Sequence, residues 1–175
     1  MLVTHSRKPA AVMVAAVIWL AGLTACQLAR HDAAPDPIVA PGQIVFVCEH
    51  GSVKSLIAAS LFERAAAKRG LDAHAVSRGV SPDERVPAKI VAALGGEGFD
   101  VANFRPQALT AGDLAGAGRV VAIGVDLSMH GGVTRAPIQS WNDVPAASVD
   151  YQAARAALQR HVDDLLEEMQ DTLSR

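Results

Sequence analysis

The segment Ile44–Gly70, "IVFVCEHGSVKSLIAASLFERAAAKRG", decides the fold of this chain. Its first four residues are β-branched or aromatic, as in a strand that is buried on both faces of a parallel sheet. After a short polar loop, apolar residues recur at helical spacing from Ser55 onward, and Gly70 supplies a left-handed end to the helix. The segment therefore predicts a strand, a loop and a helix, with Cys48 at the carboxyl end of the strand.

The loop after Cys48 has the features of an oxyanion site. Ligands of open α/β sheets bind at the carboxyl ends of the strands. Successive backbone N–H groups from Glu49 to Lys54 can converge on one point, and the positive end of the helix adds to their field. The same field stabilises a thiolate, so we expect Cys48 to be a nucleophile near neutral pH rather than a small buried apolar residue.

The rest of the sequence alternates between strands and helices. Further strand-like runs are "AHAVS", "VVAIG" and "APIQSW", and helical patterns cover Ser55–Arg69, Val86–Leu94, about Thr110–Ala117, and Asp150–Met169. This alternation predicts right-handed βαβ units around a parallel sheet. One face of the last helix is an apolar packing stripe of Ala154, Leu158, Val162, Leu165 and Met169. At 175 residues, 50% of them hydrophobic, the chain has room for one such domain but hardly for two.

Composition argues against two classes of partner. Lys and Arg number 16 against 18 Asp and Glu, with no run of either sign, so an extended nucleic-acid surface has no electrostatic support. The six histidines are scattered, and no Cys/His cluster has the spacing of metal ligands. We therefore expect no nucleic acid, no metal and no cofactor.

The first 42 residues have the character of an export signal followed by a tether. Residues 1–25 combine Arg7 and Lys8 with the apolar run "AAVMVAAVIWLAGL", which is too short for a membrane span. The ending "LTAC" resembles the bacterial lipobox, which implies lipid attachment at Cys26; an ordinary signal peptide is the alternative. Gln27 in place of aspartate favours the outer membrane, with the protein facing the periplasm. Residues 26–42 are a Pro/Ala-rich tether, and residues 43–175 are the predicted folded domain.

The loop C-E-H-G-S-V-K-S resembles the C-x5-R-S signature of low-molecular-weight protein tyrosine phosphatases and of the arsenate reductases that share their fold. Softer similarities follow in "SRGVSP", "GFDVANFRPQAL", "RVVAIGVD" and "WNDVPAA". The resemblance covers the chain from Gln43 to its carboxyl end. It implies a three-layer, phosphotyrosine phosphatase I-like α/β fold, in which helices flank a four-stranded parallel sheet of order 2-1-3-4.

The resemblance also implies a phosphocysteine mechanism on a phosphorylated substrate. In it, Cys48 attacks phosphorus in line and Ser55 donates its hydroxyl to the thiolate. An acid protonates the leaving oxygen, and Asp143 in "WNDVP" is the candidate for it. The alternative is that Asp143 is an ordinary turn residue. The phosphate-binding loop comprises Glu49, His50, Gly51, Ser52, Val53 and Lys54.

Three positions depart from the family pattern. Lys54 replaces the signature arginine, and an ammonium lacks the planar fork that holds two phosphate oxygens, so we expect a loss of about 3 to 4 kcal/mol if nothing compensates. Val144 separates Asp143 from the proline that directly follows the family's acid, and a more literal alignment puts Ala146 at the acid position. Gly51 replaces the usual asparagine, a change predicted to be harmless because glycine reaches left-handed angles easily.

Three functions therefore remain open. The first is an exported phosphomonoesterase acting on aryl or tyrosyl phosphates. The second is an arsenate reductase that uses an external thiol, because no further cysteine follows Cys48 to form a disulfide relay. The third is a non-catalytic module that binds phosphate or another oxyanion, motivated by Lys54 and by the uncertain acid.

Overall fold

The computed structural model describes residues 43–128, 130 and 134–174. The predicted signal peptide, the lipid attachment at Cys26 and the tether lie outside the described residues. Within the described ranges, no helix combines the length and the apolar character that a membrane crossing requires.

Four parallel strands form one sheet in the order β2-β1-β3-β4, which confirms the predicted fold class. The strands are β1 (Ile44–Cys48), β2 (Ala75–Gly79), β3 (Arg119–Ile123) and β4 (Ile138–Trp141). The helices are α1 (Lys54–Arg69), α2 (Ala88–Gly96), α3 (Ala111–Gly116) and α4 (Tyr151–Leu173). All the predicted elements are present, in the predicted order along the chain.

Strand β1 lies inside the sheet, and all five of its residues are buried. Its alternate side chains enter two apolar cores, because successive residues of a strand face opposite sides. Val45 and Val47 pack with Leu114 of α3, whereas Phe46 and Cys48 join the larger core that α1, α2 and α4 cover. Cys48 therefore faces the side of the sheet on which α1 begins.

Helix α4 packs against the sheet with the stripe that the sequence predicts. All five stripe residues are buried, and α4 lies against α1. The side chain of Asp150 caps the helix by accepting a hydrogen bond from the Ala153 amide at 2.9 Å. The helix thus begins at Tyr151, directly after a residue type that favours the N-cap position.

Most element boundaries differ from the sequence-based expectation by one to four residues. Strand β2 covers Ala75–Gly79 rather than "AHAVS", because its pairing with β1 continues until Gly79 lies opposite Cys48. Helix α2 begins at Ala88 rather than Val86, because a residue that precedes proline is disfavoured in helical conformation and Pro87 acts as the N-cap. The shift of β2 brings its end to the loop that follows Cys48.

Candidate active site

Cys48 lies at the base of the loop, where a chain of buried hydroxyl groups reaches its sulfur. Cys48 Sγ is 3.0 Å from Ser55 Oγ, in the first turn of α1. Ser77 Oγ on β2 donates to the Gly51 carbonyl oxygen at 3.0 Å and lies 2.8 Å from Ser55 Oγ. Ser55 Oγ thus lies between Ser77 and the sulfur, and its proton is available to a Cys48 thiolate. The structure therefore gives Ser55 the contact that the resemblance implies, and it adds Ser77.

The helix that follows the loop presents its amino terminus without a side-chain cap. Val53 occupies the N-cap position with no side-chain hydrogen bond, and the first turn of α1 contains no acidic residue. The first N–H groups of a helix need partners, and a capping side chain normally supplies one. At Lys54 and Ser55 these groups are therefore available to a bound anion, as the sequence predicts for this loop.

Gly51 is held in the left-handed region by close contact with a second glycine. Its φ is 64°, and a Cβ at this position would lie 2.7 Å from the amide nitrogen of Gly79. A Cβ on Gly79 would in turn lie 2.8 Å from the Gly51 nitrogen. The backbone angle agrees with the sequence-based expectation, but the glycine is required rather than merely harmless, because the end of β2 leaves no room for a side chain.

Replacing Gly51 with alanine is expected to destabilise the fold by more than about 2 kcal/mol, through left-handed strain and overpacking together. Gly70→Ala is the matched control, since Gly70 has a φ of 67° but a Cβ on it would meet no atom of the described chain within 4 Å. Urea unfolding of both variants separates strain from collision. Equal losses would show that the contact between Gly51 and Gly79 is not restrictive.

Lys54 extends from α1 across the end of strand β3. Its Nζ would lie 2.6 Å from a Cβ on Gly124, the residue directly after β3, whose φ is 65°. Within the described part of the chain, Lys54 makes no ion pair with a carboxylate. The ammonium therefore keeps its charge available to a ligand at the ends of β1 and β3, at the position where the resemblance has an arginine.

An open cleft of about 930 Å³ begins at the same edge of the sheet. It lies against β3 and β4, and its lining includes Gly124, Asp126, Ser140 and Asn142. Gly124 thus contacts both the cleft and Lys54 Nζ. The Lys54 side chain therefore lies between the loop after Cys48 and this cleft.

The loop between β2 and α2 packs along the loop that follows Cys48. The amides of Val80, Ser81 and Asp83 donate to the carbonyls of Cys48, Glu49 and His50, at 3.0, 2.8 and 3.1 Å. The Asp83 carboxylate accepts a hydrogen bond from Ser52 Oγ and lies 3.4 Å from His50 Nδ1. Ser52 is fully buried, whereas Glu49 and His50 are exposed. Asp83 is thus a charged neighbour of the loop that the sequence alone did not identify.

Asp143 forms a hydrogen bond with a residue of α4. Its Oδ1 lies 2.7 Å from His161 Nε2, and the His161 ring stacks on Trp141 at 4.8 Å between centroids. The hydrogen bond with His161 holds the pKa of the Asp143 carboxyl below its ordinary value. The side chain is 64% exposed. The structure therefore gives Asp143 a role in joining the β4–α4 connection to α4, beside the acid role that the resemblance implies.

Comparison with known proteins points to one family. The family model described as low molecular weight phosphotyrosine protein phosphatase matches residues 43–173. The sequence matches no curated protein significantly.

Solved structures with the same fold include two phosphatases and a reductase. A low molecular weight phosphotyrosine phosphatase of Vibrio cholerae matches with a TM-score of 0.64 at 15% identity, covering 74% of this chain and 97% of that one. A low molecular weight protein tyrosine phosphatase of T. tengcongensis matches with a TM-score of 0.63 at 24% identity, covering 73% and 99%. A thioredoxin-dependent arsenate reductase of Corynebacterium glutamicum matches with a TM-score of 0.65 at 19% identity, covering 79% of this chain but only 65% of that one.

Proposed function

The chain belongs to the low molecular weight phosphotyrosine protein phosphatase family, and we therefore propose that it hydrolyses phosphomonoesters through a phosphocysteine intermediate at Cys48. The observation that carries this proposal is the position of Cys48 Sγ at the base of the loop, 3.0 Å from Ser55 Oγ. A nucleophile activated by a neighbouring hydroxyl and a helix amino terminus is what in-line attack on phosphorus needs.

Each part of the site has a task in the reaction. The Cys48 thiolate forms the bond to phosphorus as the bond to the leaving oxygen breaks, and water then hydrolyses the phosphocysteine to release phosphate. The loop amides, the amino terminus of α1 and Lys54 stabilise the negative charge on the equatorial oxygens. In the second step Ser55 donates to the sulfur that leaves as a thiolate. Ser77 keeps Ser55 in the orientation that allows this.

Reduction of arsenate with an external thiol is the second candidate. It is favoured by the cysteine content, because Cys48 is the free cysteine of the described residues and the only other cysteine of the sequence is Cys26. Arsenate bound at the same loop would form a bond to Cys48 with loss of water. A small thiol from solution would then attack the Cys48 sulfur and break the S–As bond, which leaves its electron pair on arsenic, so the two sulfurs together supply the two electrons. The product would be arsenite, with a mixed disulfide on Cys48.

The proposed location is the periplasmic face of a membrane, through a lipid on Cys26. The support is the order of features in residues 1–42, a positive start, a short apolar run, "LTAC" and a Pro/Ala-rich tether. Gln27 after the cysteine favours the outer membrane. A tether of this kind would leave the domain free to meet phosphorylated substrates in the periplasm.

The test is steady-state hydrolysis of a chromogenic aryl phosphate by the purified full-length chain. We expect turnover that inorganic phosphate inhibits competitively, and a phosphoryl adduct on Cys48 in the acid-quenched protein by mass spectrometry. Phosphate binding without hydrolysis would instead make the chain an oxyanion-binding module. Arsenite formation that requires added thiol, again without hydrolysis, would favour the second candidate.

A further inference from the structure

Hydrolysis by this route needs a proton donor for the leaving oxygen, and Asp143 is already engaged by another side chain. Its carboxylate is bound to His161 of α4, and this hydrogen bond lowers its pKa, so its protonated fraction at neutral pH falls. A general acid works best when its pKa lies near the working pH. The loop carries a titratable side chain of its own, which is an alternative donor.

His50 is the titratable side chain of the loop that a charged partner holds in place. It lies two residues after Cys48, and its Nδ1 is 3.4 Å from Asp83 Oδ1. The His50 side chain, which also carries the second ring nitrogen Nε2, is 58% exposed. A carboxylate that faces Nδ1 favours a proton on that nitrogen, which leaves Nε2 to exchange a proton with a ligand.

Two contacts of Asp83 and one of the nearby Ser81 fix this segment on the loop. The Asp83 amide donates to the His50 carbonyl at 3.1 Å, Ser52 Oγ donates to its carboxylate, and the preceding Ser81 amide donates to the Glu49 carbonyl at 2.8 Å. Ser52 is fully buried, so its hydroxyl cannot exchange this contact freely with solvent. The carboxylate that orients His50 thus moves with the catalytic loop rather than with a separate surface segment.

We propose that His50, oriented by Asp83, donates the proton to the leaving oxygen and recovers it in the second step. The proposal rests on the phosphatase function above. In the first step the S–P bond forms, the P–O bond breaks, and the electron pair of the leaving oxygen takes the proton from His50 Nε2. In the second step neutral His50 accepts a proton from the attacking water, as the new O–P bond forms and Cys48 leaves as a thiolate. His50 is then a catalytic residue and Asp83 a positioning residue.

The test compares kcat/KM of the full-length chain for two aryl phosphates whose leaving groups differ in stability. Phenyl phosphate needs a proton on its leaving oxygen, whereas 2,4-dinitrophenyl phosphate does not. His50→Gln should lower kcat/KM for phenyl phosphate by at least about 10²-fold, the usual contribution of a general acid, and by less than about 5-fold for the dinitrophenyl ester. Asp83→Asn should show the same dependence with a smaller loss, because it acts through His50.

His74→Gln is the matched control. His74 also faces carboxylates, at 3.9 Å from Glu63 and 3.7 Å from Asp72, but it precedes β2 at the end of the strand opposite to the loop. The His74→Gln substitution should leave kcat/KM unchanged for both esters. Should His50→Gln fail to fold in thermal unfolding, Asp83→Asn carries the same comparison.

Three outcomes would overturn the inference. Equal losses for both esters in His50→Gln would make His50 a structural residue of the loop. If Asp143→Asn instead lowers kcat/KM more for phenyl phosphate than for the dinitrophenyl ester, the acid is Asp143. If the unmodified chain hydrolyses neither ester, both the phosphatase function and this inference are wrong. If it does hydrolyse them and either of the two other results is found, only the inference is wrong.

Discussion

Replacing Cys48 with serine is expected to lower kcat for aryl phosphate hydrolysis by at least about 10⁴-fold, the scale of loss for a removed nucleophile. A serine hydroxyl is not ionised near neutral pH, and the contact that stabilises a thiolate, Ser55 Oγ at 3.0 Å, does not supply a base for it. Cys48 is only 3% exposed, and an oxygen takes less room than a sulfur, so the loop should keep its shape. Phosphate affinity should therefore change little.

The sequence contains its own control for this prediction. Cys26→Ser removes the other cysteine, which lies in the predicted lipid-attachment motif and outside the catalytic loop. Steady-state kinetics should show normal turnover for Cys26→Ser and none above background for Cys48→Ser, while calorimetric titration shows phosphate binding by both. Turnover that survives in Cys48→Ser would mean that a side chain other than Cys48 attacks phosphorus, and the phosphocysteine mechanism would be wrong.

The fold was predictable because its signals are local. The buried strand Ile44–Cys48, the helical spacing after it and the alternation of strands and helices depend on neighbours in sequence, and each predicted element is present. The order of strands in the sheet came from the family resemblance rather than from these patterns. Boundaries shifted where a long-range contact decides, as at Gly79, whose pairing with Cys48 moves the end of β2 two residues along the chain.

The site was predictable only where its residues are contiguous. The nucleophile, Ser55 and the loop glycine occur within one short segment, which resembles the family signature, and this resemblance implies the role of Ser55. The contacts of Ser77 and Asp83 with the loop were not predicted. Each residue is more than 20 positions away from its loop partner in sequence, and the β1–β2 pairing brings them together. A serine at the end of a neighbouring strand was the one available signal for Ser77, and Asp83 in "SPDE" looked like an ordinary turn residue.

The contacts of Asp143 follow from the same limitation. Its partner His161 lies on α4, and Trp141 on β4 stacks on that ring, so the sequence could not show that the carboxylate was already engaged. The resemblance to the family's late loop implied an acid at Asp143, and the structure adds a hydrogen bond between this carboxylate and α4. The position of His50 beside Asp83 is equally invisible in sequence.

Lys54→Arg is expected to raise kcat for aryl phosphate hydrolysis by about 10² to 10³-fold, the reverse of losing an oriented electrostatic donor. The reason is geometric. An ammonium is a point charge, whereas a guanidinium donates two parallel hydrogen bonds to the oxygens of a phosphoryl group in its transition state. The absence of a side chain at Gly124 accommodates the Lys54 head group, since a Cβ there would lie only 2.6 Å from Nζ, and Gly124 should be equally needed beside an arginine.

The measurement is a comparison of kcat and of phosphate affinity in Lys54→Arg with those of Lys68→Arg, the same substitution in the last turn of the same helix. Lys68→Arg should change neither value. A large gain in kcat with little change in phosphate affinity would show that the loop and Cys48 are intact and that the lysine limits turnover, because only interactions that strengthen in the transition state raise kcat. Unchanged kcat in Lys54→Arg would contradict this, and it would mean that the natural ligand does not require the planar contact that the arginine of the family signature provides.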